Sequence, residues 1–560
     1  MPGNGPHPSL LTALRSRWAP YAGVALLIAA WWIAAAAVGR DILLPSPSTV
    51  AHSLVHIVRS PRFAVIVRTS VTRWGIGFLA AFAAATVVAA AASRREWAAG
   101  MLRPLIVTMR STPVIAIILL ALIWLSVDGV PIFVSLLVAF PLIYQGVLDG
   151  LRSVDPDLLH MGRIYHIAPL RRVRHIHIPS ALPVALSAIT SAVGMSWKAA
   201  VAAEVLSQPS YGIGTDMQIA RLYLETSQVV GWTVVAVGLA ALGDLAVWAI
   251  DRRANAWRTF NSHAVERRAA VAPNPETAAT DPETGAGPAP NSTAPKAALG
   301  ASQGGVRVVV DRISFSFPDT PLFSEFSLEI PSGGLTAVLG RSGSGKTTLL
   351  RLIARDLRPD SGEIRFESEP LTARAEAALR QSRPVVGFVF QEPRLLPWRS
   401  VLQNVELVFP HDSTANGARS RRTQLRRFLR SLRLPRPDAL PSTLSGGMRH
   451  RVNLARGFLC GAPVICLDEP FSSQDPATRN ELVQLTRRLK HDLKRTVVMV
   501  SHDPDEAFTL ADIIVVLEDH HPTSILRRFD LRQSGPAERE TIRSLVSALL
   551  QTGEGIRGSL

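Results

Sequence analysis

Residues 18 to 250 are written in long apolar blocks separated by short polar breaks. Six blocks, near 18–38, 74–92, 105–127, 130–148, 182–205 and 229–250, have the length needed to cross ~30 Å of hydrocarbon. Beyond residue 306 the pattern changes to short β-rich runs with helical stretches between them. The runs GGLTAVLG, VVGFVF, PVICLDEP and RTVVMVSHD read as buried strands, predicting a mostly parallel sheet with its chemistry at strand carboxyl ends. Residues 263–304 lie between, rich in Ala, Pro, Gly and Thr with almost nothing to bury. That composition predicts a disordered linker with an r.m.s. reach of about 35 Å. The expected architecture is a membrane all-α region (1–262), a linker (263–305), a soluble α/β domain (306–535) and a C-terminal tail (536–560).

Composition agrees with that division. The chain has 560 residues, more than the ~250–300 that one core holds. Hydrophobic residues reach 47% and charged ones only 19%, below the roughly 25% of soluble domains. The net charge of +16 is placed where it orients the spans. Arg94, Arg95 and Arg103 follow span two, Arg152, Arg163, Arg171, Arg172 and Arg174 follow span four, and Arg252 and Arg253 follow span six. These loops belong on the cytoplasmic side, and with them both ends of the region. Arg59, Arg62 and Arg68 break the rule, which suits an interfacial amphipathic segment.

The first apolar run exceeds a signal-peptide core of ~7–15 residues and reads as an uncleaved span. The Arg-rich run 418–437 reads as a solvated helix face. Its one aromatic, Phe428, is too little for base stacking, so no nucleic-acid partner is expected. Cys460 and Cys466 are expected as reduced, buried, cytosolic thiols.

Three motifs carry chemistry. Gly340, Arg341, Ser342, Gly343, Ser344, Gly345, Lys346 and Thr347, followed by Thr348, fit the phosphate loop G-x-x-x-x-G-K-[ST]. Its glycines let successive N–H groups face phosphate oxygens, Lys346 reaches the β/γ-phosphates and Thr347 ligates Mg²⁺. The run VICLDEP ends a strand in Asp468, which suits Mg²⁺, and Glu469, which suits the attacking water. LSGGMRHR opens a helix with Ser445, Gly446 and Gly447, by itself either a phosphate cap or an ordinary N-cap.

Taken with FQEPRLLPW and SHD, in this order and spacing, these motifs resemble an ABC transporter ATPase over residues 306–517. The resemblance implies ATP and Mg²⁺ as cofactors. It makes Phe317 the adenine-stacking aromatic, Gln391 the Q-loop residue that senses Mg²⁺ and contacts the membrane part, and Glu469 and His502 the catalytic pair. It also implies that Ser445, Gly446 and Gly447 reach the γ-phosphate of ATP held by an opposing subunit, with Asp475 closing the D-loop. Two departures, SSQD for the usual SALD and His450 for the usual Gln, remove no catalytic group.

The loop 154–183 keeps the spacing of the E-A-A, glycine, I-x-L-P motif of binding-protein-dependent importers, in which it forms a short helix docked on the ATPase. His160, Met161 and Gly162 fall on E-A-A, His166 falls on the glycine, and Ile176, Ile178 and Pro179 fall on I-x-L-P. With LLPSPS and VAAEVL, the region resembles the permeases of the nitrate, sulfonate and taurine importer family. That resemblance implies a multi-pass bacterial cytoplasmic-membrane protein importing a small anionic or zwitterionic solute. Its partners would be a second copy or a paralogous half, an extracellular solute-binding protein and membrane lipid. The loop could instead be a solvated basic segment on lipid headgroups, and its four histidines lack the ligand geometry of a metal site. An exporter, or a membrane-anchored regulatory ATPase, is the alternative for the whole chain. Lys198, the one lysine in residues 1–295, falls inside span five six residues before Glu204, on a different helix face. It either lines the solute path, pairs with another helix or snorkels outward.

Overall fold

The computed structural model describes residues 10–254, 305–367, 385–408 and 415–552, apart from 319, 435 and 473. Two compact units form. One holds 1–153 with 180–254; the other holds 154–179 with 255–560. The predicted linker 263–305 lies outside the described residues except for Gly305.

The first unit is helical: α1 Leu10–Val38, α2 Pro47–Arg59, α3 Phe63–Ala92, α4 Glu96–Ser111, α5 Val114–Trp124, α6 Gly129–Arg152, α9 Ile178–Ser207, α10 Ile213–Leu222 and α11 Thr226–Ala254. Among the described residues four helices are long and apolar enough to cross a membrane: α3, α6, α11 and the run Pro169–Ser207 that contains α9. Ala22–Val38 of α1 adds a shorter apolar helix.

The third predicted span is not one straight helix. Thr112 and Pro113 take extended backbone angles between α4 and α5, and the two helices bend by 96°. A hydropathy window passes over that proline, whereas the backbone cannot continue a helix into it. Arg59 falls in the last turn of α2, a 13-residue helix that buries Val50 and Ile57, in keeping with the amphipathic segment expected there.

Small residues bring the helices together. Ala81, Ala85, Ala89 and Ala92 of α3 are buried at spacings of three and four. Gly77 lies so close to α6 that a Cβ would stand 2.2 Å from the Ile132 carbonyl oxygen. Gly146 and Gly150, four apart on α6, face Ala188 and Ala181 of α9 in the same way, the close-approach packing that membrane helices use in place of a hydrophobic drive.

The second unit holds the loop helices α7 Pro156–Ile164 and α8 Pro169–Arg172 and the α/β domain. β1 Arg307–Phe317 pairs antiparallel with β2 Thr320–Ile330 and β4 Ser361–Glu367. The main sheet runs β5 Val386–Val389, β6 Val464–Asp468, β7 Thr496–Ser501, β3 Leu335–Leu339, β8 Ile513–Leu517 and β9 Ile525–Asp530. All its pairings are parallel except β8 with β9. The four runs predicted as strands are β3, β5, β6 and β7, buried along their whole length.

The helices are α12 Lys346–Ile353, α13 Val401–Glu406, α14 Ala415–Ser431, α15 Gly446–Leu459, α16 Pro476–Leu493, α17 Pro504–Leu510 and α18 Pro536–Thr552. The last of these occupies the expected tail. α14 carries the Arg-rich run; it pairs Arg422 with Glu406 and Arg426 with Asp438 while burying Leu425 and Leu429.

Gly146→Leu is expected to destabilise the helical unit by about 1–3 kcal/mol through forced separation of α6 and α9. Gly238→Leu on α11, where a Cβ meets nothing within 4 Å, should be neutral. Thermal midpoints of the detergent-solubilised protein compare the two.

Candidate functional site

The carboxyl ends of β3, β5, β6 and β7 set Lys346, Gln391, Asp468 and His502 along one edge of the sheet. Between β3 and α12 the chain must turn sharply, and Gly343 and Gly345 do so at φ +93° and +82°, angles that L side chains rarely take. Lys346 is buried, and its Nζ donates to the carbonyls of Gly340 at 2.8 Å and Arg341 at 2.6 Å. Burial pulls its ammonium below the usual lysine range. Ser344 Oγ is buried in the same loop without a hydrogen-bond partner. A buried cation and an orphaned hydroxyl under a left-handed turn fit a bound phosphate chain.

Thr347 Oγ1 donates to Asp468 Oδ1 at 2.9 Å, so two of the three expected Mg²⁺ ligands already converge, the third, Gln391, resting on Glu469. Burial pushes the Asp468 carboxyl up, a cost that a divalent cation would offset. Glu469 follows at φ +40°, a strained angle for a carboxylate side chain, pinned by its N–H to the Val500 carbonyl. Its Oε2 receives Gln391 Nε2 at 3.4 Å and lies 3.3 Å from His502 Nδ1. The sequence-predicted residues thus form two adjoining groups, Lys346 with its loop and Thr347–Asp468, and Gln391–Glu469–His502.

Others stand apart. Phe317 is 48% exposed, its ring edge-on to Phe315, as an aromatic free to receive a flat ring must be. Arg341 pairs with Asp519 on the rim, and the side chains of Ser342 and Thr348 form no hydrogen bond among the described residues. Ser445 caps α15 by accepting from the Met448 N–H, and Asp475 caps α16 by accepting from Thr478. Among the described residues no hydrogen bond or ion pair joins Ser445, Gly446 or Gly447 to the phosphate loop. His450 is buried, with its Nδ1 lacking a hydrogen-bond partner among the described residues; burial holds its imidazole below the usual histidine range.

Sequence reasoning missed how the loop 154–179 is held. Val154, Leu158, Met161, Ile164, Tyr165, Ile167 and Ile176 join the same buried core as the sheet, which disposes of a merely solvated segment. His166 takes φ +48°, the reason a glycine suits that position in the importer motif. Tyr165 donates its hydroxyl to the Phe388 carbonyl at 2.6 Å and packs edge-on to Phe390, immediately before Gln391. The fully buried Arg456 of α15 lies over both rings and donates to the carbonyls of Pro393 and Arg394.

On the other flank, His160 Nδ1 is 3.4 Å from buried Asp356, which Arg351 of α12 also holds at 2.8 Å. Arg394 pairs with Asp157 at 2.9 Å, and Trp398 donates to the His175 carbonyl. A cavity of about 110 Å³ runs between these groups, lined by Asp157, His160, Thr347, Asp356, Arg394 and Asp468 among others. It puts the loop helix one side chain away from the phosphate-site threonine.

Residues 76–256 match the family described as binding-protein-dependent transport system inner membrane component, and residues 323–472 match the ABC transporter family. An aliphatic sulfonates import ATP-binding protein of Mesorhizobium japonicum is 41% identical over 202 residues, 36% of this chain and 71% of that protein. One from Granulibacter bethesdensis is 38% identical over 253 residues, 44% of this chain and 96% of that protein. A sulfate/thiosulfate import ATP-binding protein of Salmonella typhi is 40% identical over 215 residues, 38% of this chain and 57% of that protein. The solved dimeric, post-hydrolysis ATP-binding cassette MJ0796 bound to ADP and Pi is 27% identical, covers 40% of this chain and all of its own, and gives a TM-score of 0.34.

Two outcomes follow from this geometry. Tyr165→Phe leaves a buried carbonyl unpaired and should cost about 1–3 kcal/mol, read as a lower melting point. Because the imidazole of His450 is held below its ordinary value, the unfolded chain binds a proton that the folded chain refuses. Stability should therefore fall as pH drops below about 6.5. His450→Gln should lessen the fall in melting temperature between pH 7.5 and pH 5.5; an unchanged fall would show that the ring is not sealed in.

Proposed function

The chain belongs to the ABC transporter family, and from that premise we propose that it is one half of a dimeric importer that uses ATP to carry a small anionic or zwitterionic solute into the cell. It is a multi-pass inner-membrane protein with permease and ATPase regions in one polypeptide and the ATPase on the cytoplasmic side. The carrying observation is that a loop with importer spacing lies inside the ATPase core, against the residues that flank Gln391. A sulfonate-like solute is favoured because the relatives that match the ATPase are named for aliphatic sulfonates and sulfate. Nitrate and taurine belong to the same class.

Each ATP sits between the phosphate loop of one chain and Ser445, Gly446 and Gly447 of another. The separation of these two surfaces within a single chain supports that arrangement. Phe317 stacks on the adenine, and Lys346 with the loop N–H groups neutralises phosphate charge. Thr347, Asp468 and Gln391 would hold Mg²⁺, which shields the phosphate oxygens when bound. Glu469 takes the proton of the attacking water, and His502 holds Glu469 and the γ-phosphate in line. Asp475 closes the contact between the two chains. A solute-binding protein outside the membrane delivers the solute.

Glu469→Gln in lipid vesicles should still bind ATP but hydrolyse it at least about 100-fold more slowly, and uptake should stop. Light scattering should show that variant as an ATP-stabilised dimer. A variant that stays monomeric with ATP would overturn the shared-site arrangement.

A further inference from the structure

The exposed residues of a membrane helix report what it faces. On α5 they are Ile115, Leu119, Leu120, Ile123 and Trp124, all apolar, as contact with lipid requires. On the inner two-thirds of α3 they are again apolar, including Ile76, Leu79, Phe82 and Val87. α9 differs. Its buried side carries Ala192, Ser196, Trp197, Ala200, Ala203 and Glu204, while its exposed side carries Val184, Ser187, Ser191, Met195, Lys198, Ala202 and Leu206 at steps of three and four, polar in the middle and apolar at the ends. Two hydroxyls and an ammonium thus line one open face of a helix long enough to cross the bilayer.

The two ionisable groups of this helix have opposite fates. Glu204 is buried and fully engaged, accepting from Ser70 Oγ at 2.8 Å, Arg73 at 3.1 Å and the Gly214 N–H at 3.1 Å. Arg73 in turn reaches Asp128 at 2.6 Å. Glu204 therefore clamps α3, α9 and α10 and does not line an open path. Lys198 has no ion pair or hydrogen bond among the described residues. It lies nine residues before the end of α9, about 14 Å down the helix, whereas Asp244 lies about 27 Å down α11, too far along to neutralise it.

We infer that Lys198, with Ser187 and Ser191, forms the anion-recognising wall of the solute path, so that the solute carries an oxyanion group which the ammonium attracts and the hydroxyls hydrate. This rests on the importer reading above and names the charge of its cargo. A solute of one negative charge meets an opposite charge in a low-dielectric passage. Beyond it stand the hydroxyls of Ser187 and Ser191, the latter resting on the Ser187 carbonyl at 3.3 Å, a long bond that a solute oxyanion could take over. An ammonium reaching only to the lipid headgroups would not need Ser187 and Ser191 on the same face deeper in the membrane.

The protein allows a direct test. Its own thiols, Cys460 and Cys466, are fully buried, and burial pushes both up, Cys460 to about 11, so the unsubstituted protein should show no labelling and serves as the blank. Single substitutions Ser187→Cys, Ser191→Cys and Lys198→Cys in vesicles are treated with the membrane-impermeant 2-sulfonatoethyl methanethiosulfonate and with its trimethylammonium analogue. All three positions should react from water. At residues 187 and 191 the sulfonate reagent should react about tenfold faster with Lys198 present than with Lys198→Met, and the cationic reagent more slowly. Reaction at 198 alone, protection of all three, or equal rates with lysine and methionine would each overturn the inference.

These readouts need neither ATP nor transport. Should the unmodified protein, given ATP and its solute-binding protein, fail to take up an ethanesulfonate probe while the labelling pattern holds, the importer reading for a sulfonate falls and the charged wall stands. Should uptake proceed equally in the unmodified protein and Lys198→Met, with Lys198→Arg as control, the importer reading stands and the wall falls.

Discussion

The structure depends on a phenol ring in a slot. Tyr165 comes from a loop between two membrane helices, yet its ring is 3% exposed among sheet residues more than 200 positions away. Its hydroxyl satisfies a carbonyl at the end of β5, and its face lies against the guanidinium of Arg456, whose other donors hold the carbonyls just after Gln391. One side chain therefore touches the strand that carries Gln391 and the helix that Ser445 begins. A hydrogen bond in such a dry place is costly to leave unmade, so the loop and the two nucleotide-facing elements hold one another in register.

A second contact works by charge. Asp356 is almost fully buried and shared between Arg351, one turn beyond Thr347 on α12, and His160 of the loop. The phosphate-side helix and the membrane loop thus share one carboxylate, across a cavity that also reaches Asp468. The importer motif has a glutamate where His160 stands. Beside a buried aspartate, a neutral or cationic ring is the less costly neighbour.

Much of this was legible before any coordinate. The nucleotide site is fixed by chemistry that tolerates few residue types, so Lys346, Thr347, Asp468, Glu469, Gln391 and His502 could be named from spacing and resemblance, and strand runs such as VICLD from their apolar letters. The break at Thr112–Pro113 was written in the sequence too, but the apolar count on either side outweighed one proline. Tyr165, Asp356, Arg394 and Arg456 could not be read, because each acts through a partner distant in the chain; Arg394 stands inside FQEPRLLPW, but the motif does not disclose its pairing with Asp157. His166 carried a partial signal: a residue standing where a glycine is usual points to a left-handed turn.

The detour of residues 154–179 out of the helical unit and into the other has a consequence for anyone dissecting the protein. A fragment starting at residue 305 would retain every nucleotide-binding group but lose seven apolar side chains from its interior. Phe388 and Phe390 would line an open greasy trench, and Arg456 would lose the ring beneath it. The α/β half thus shares part of its buried apolar surface with the stretch between two membrane crossings, and an excision meant to keep that contact would have to carry the stretch along.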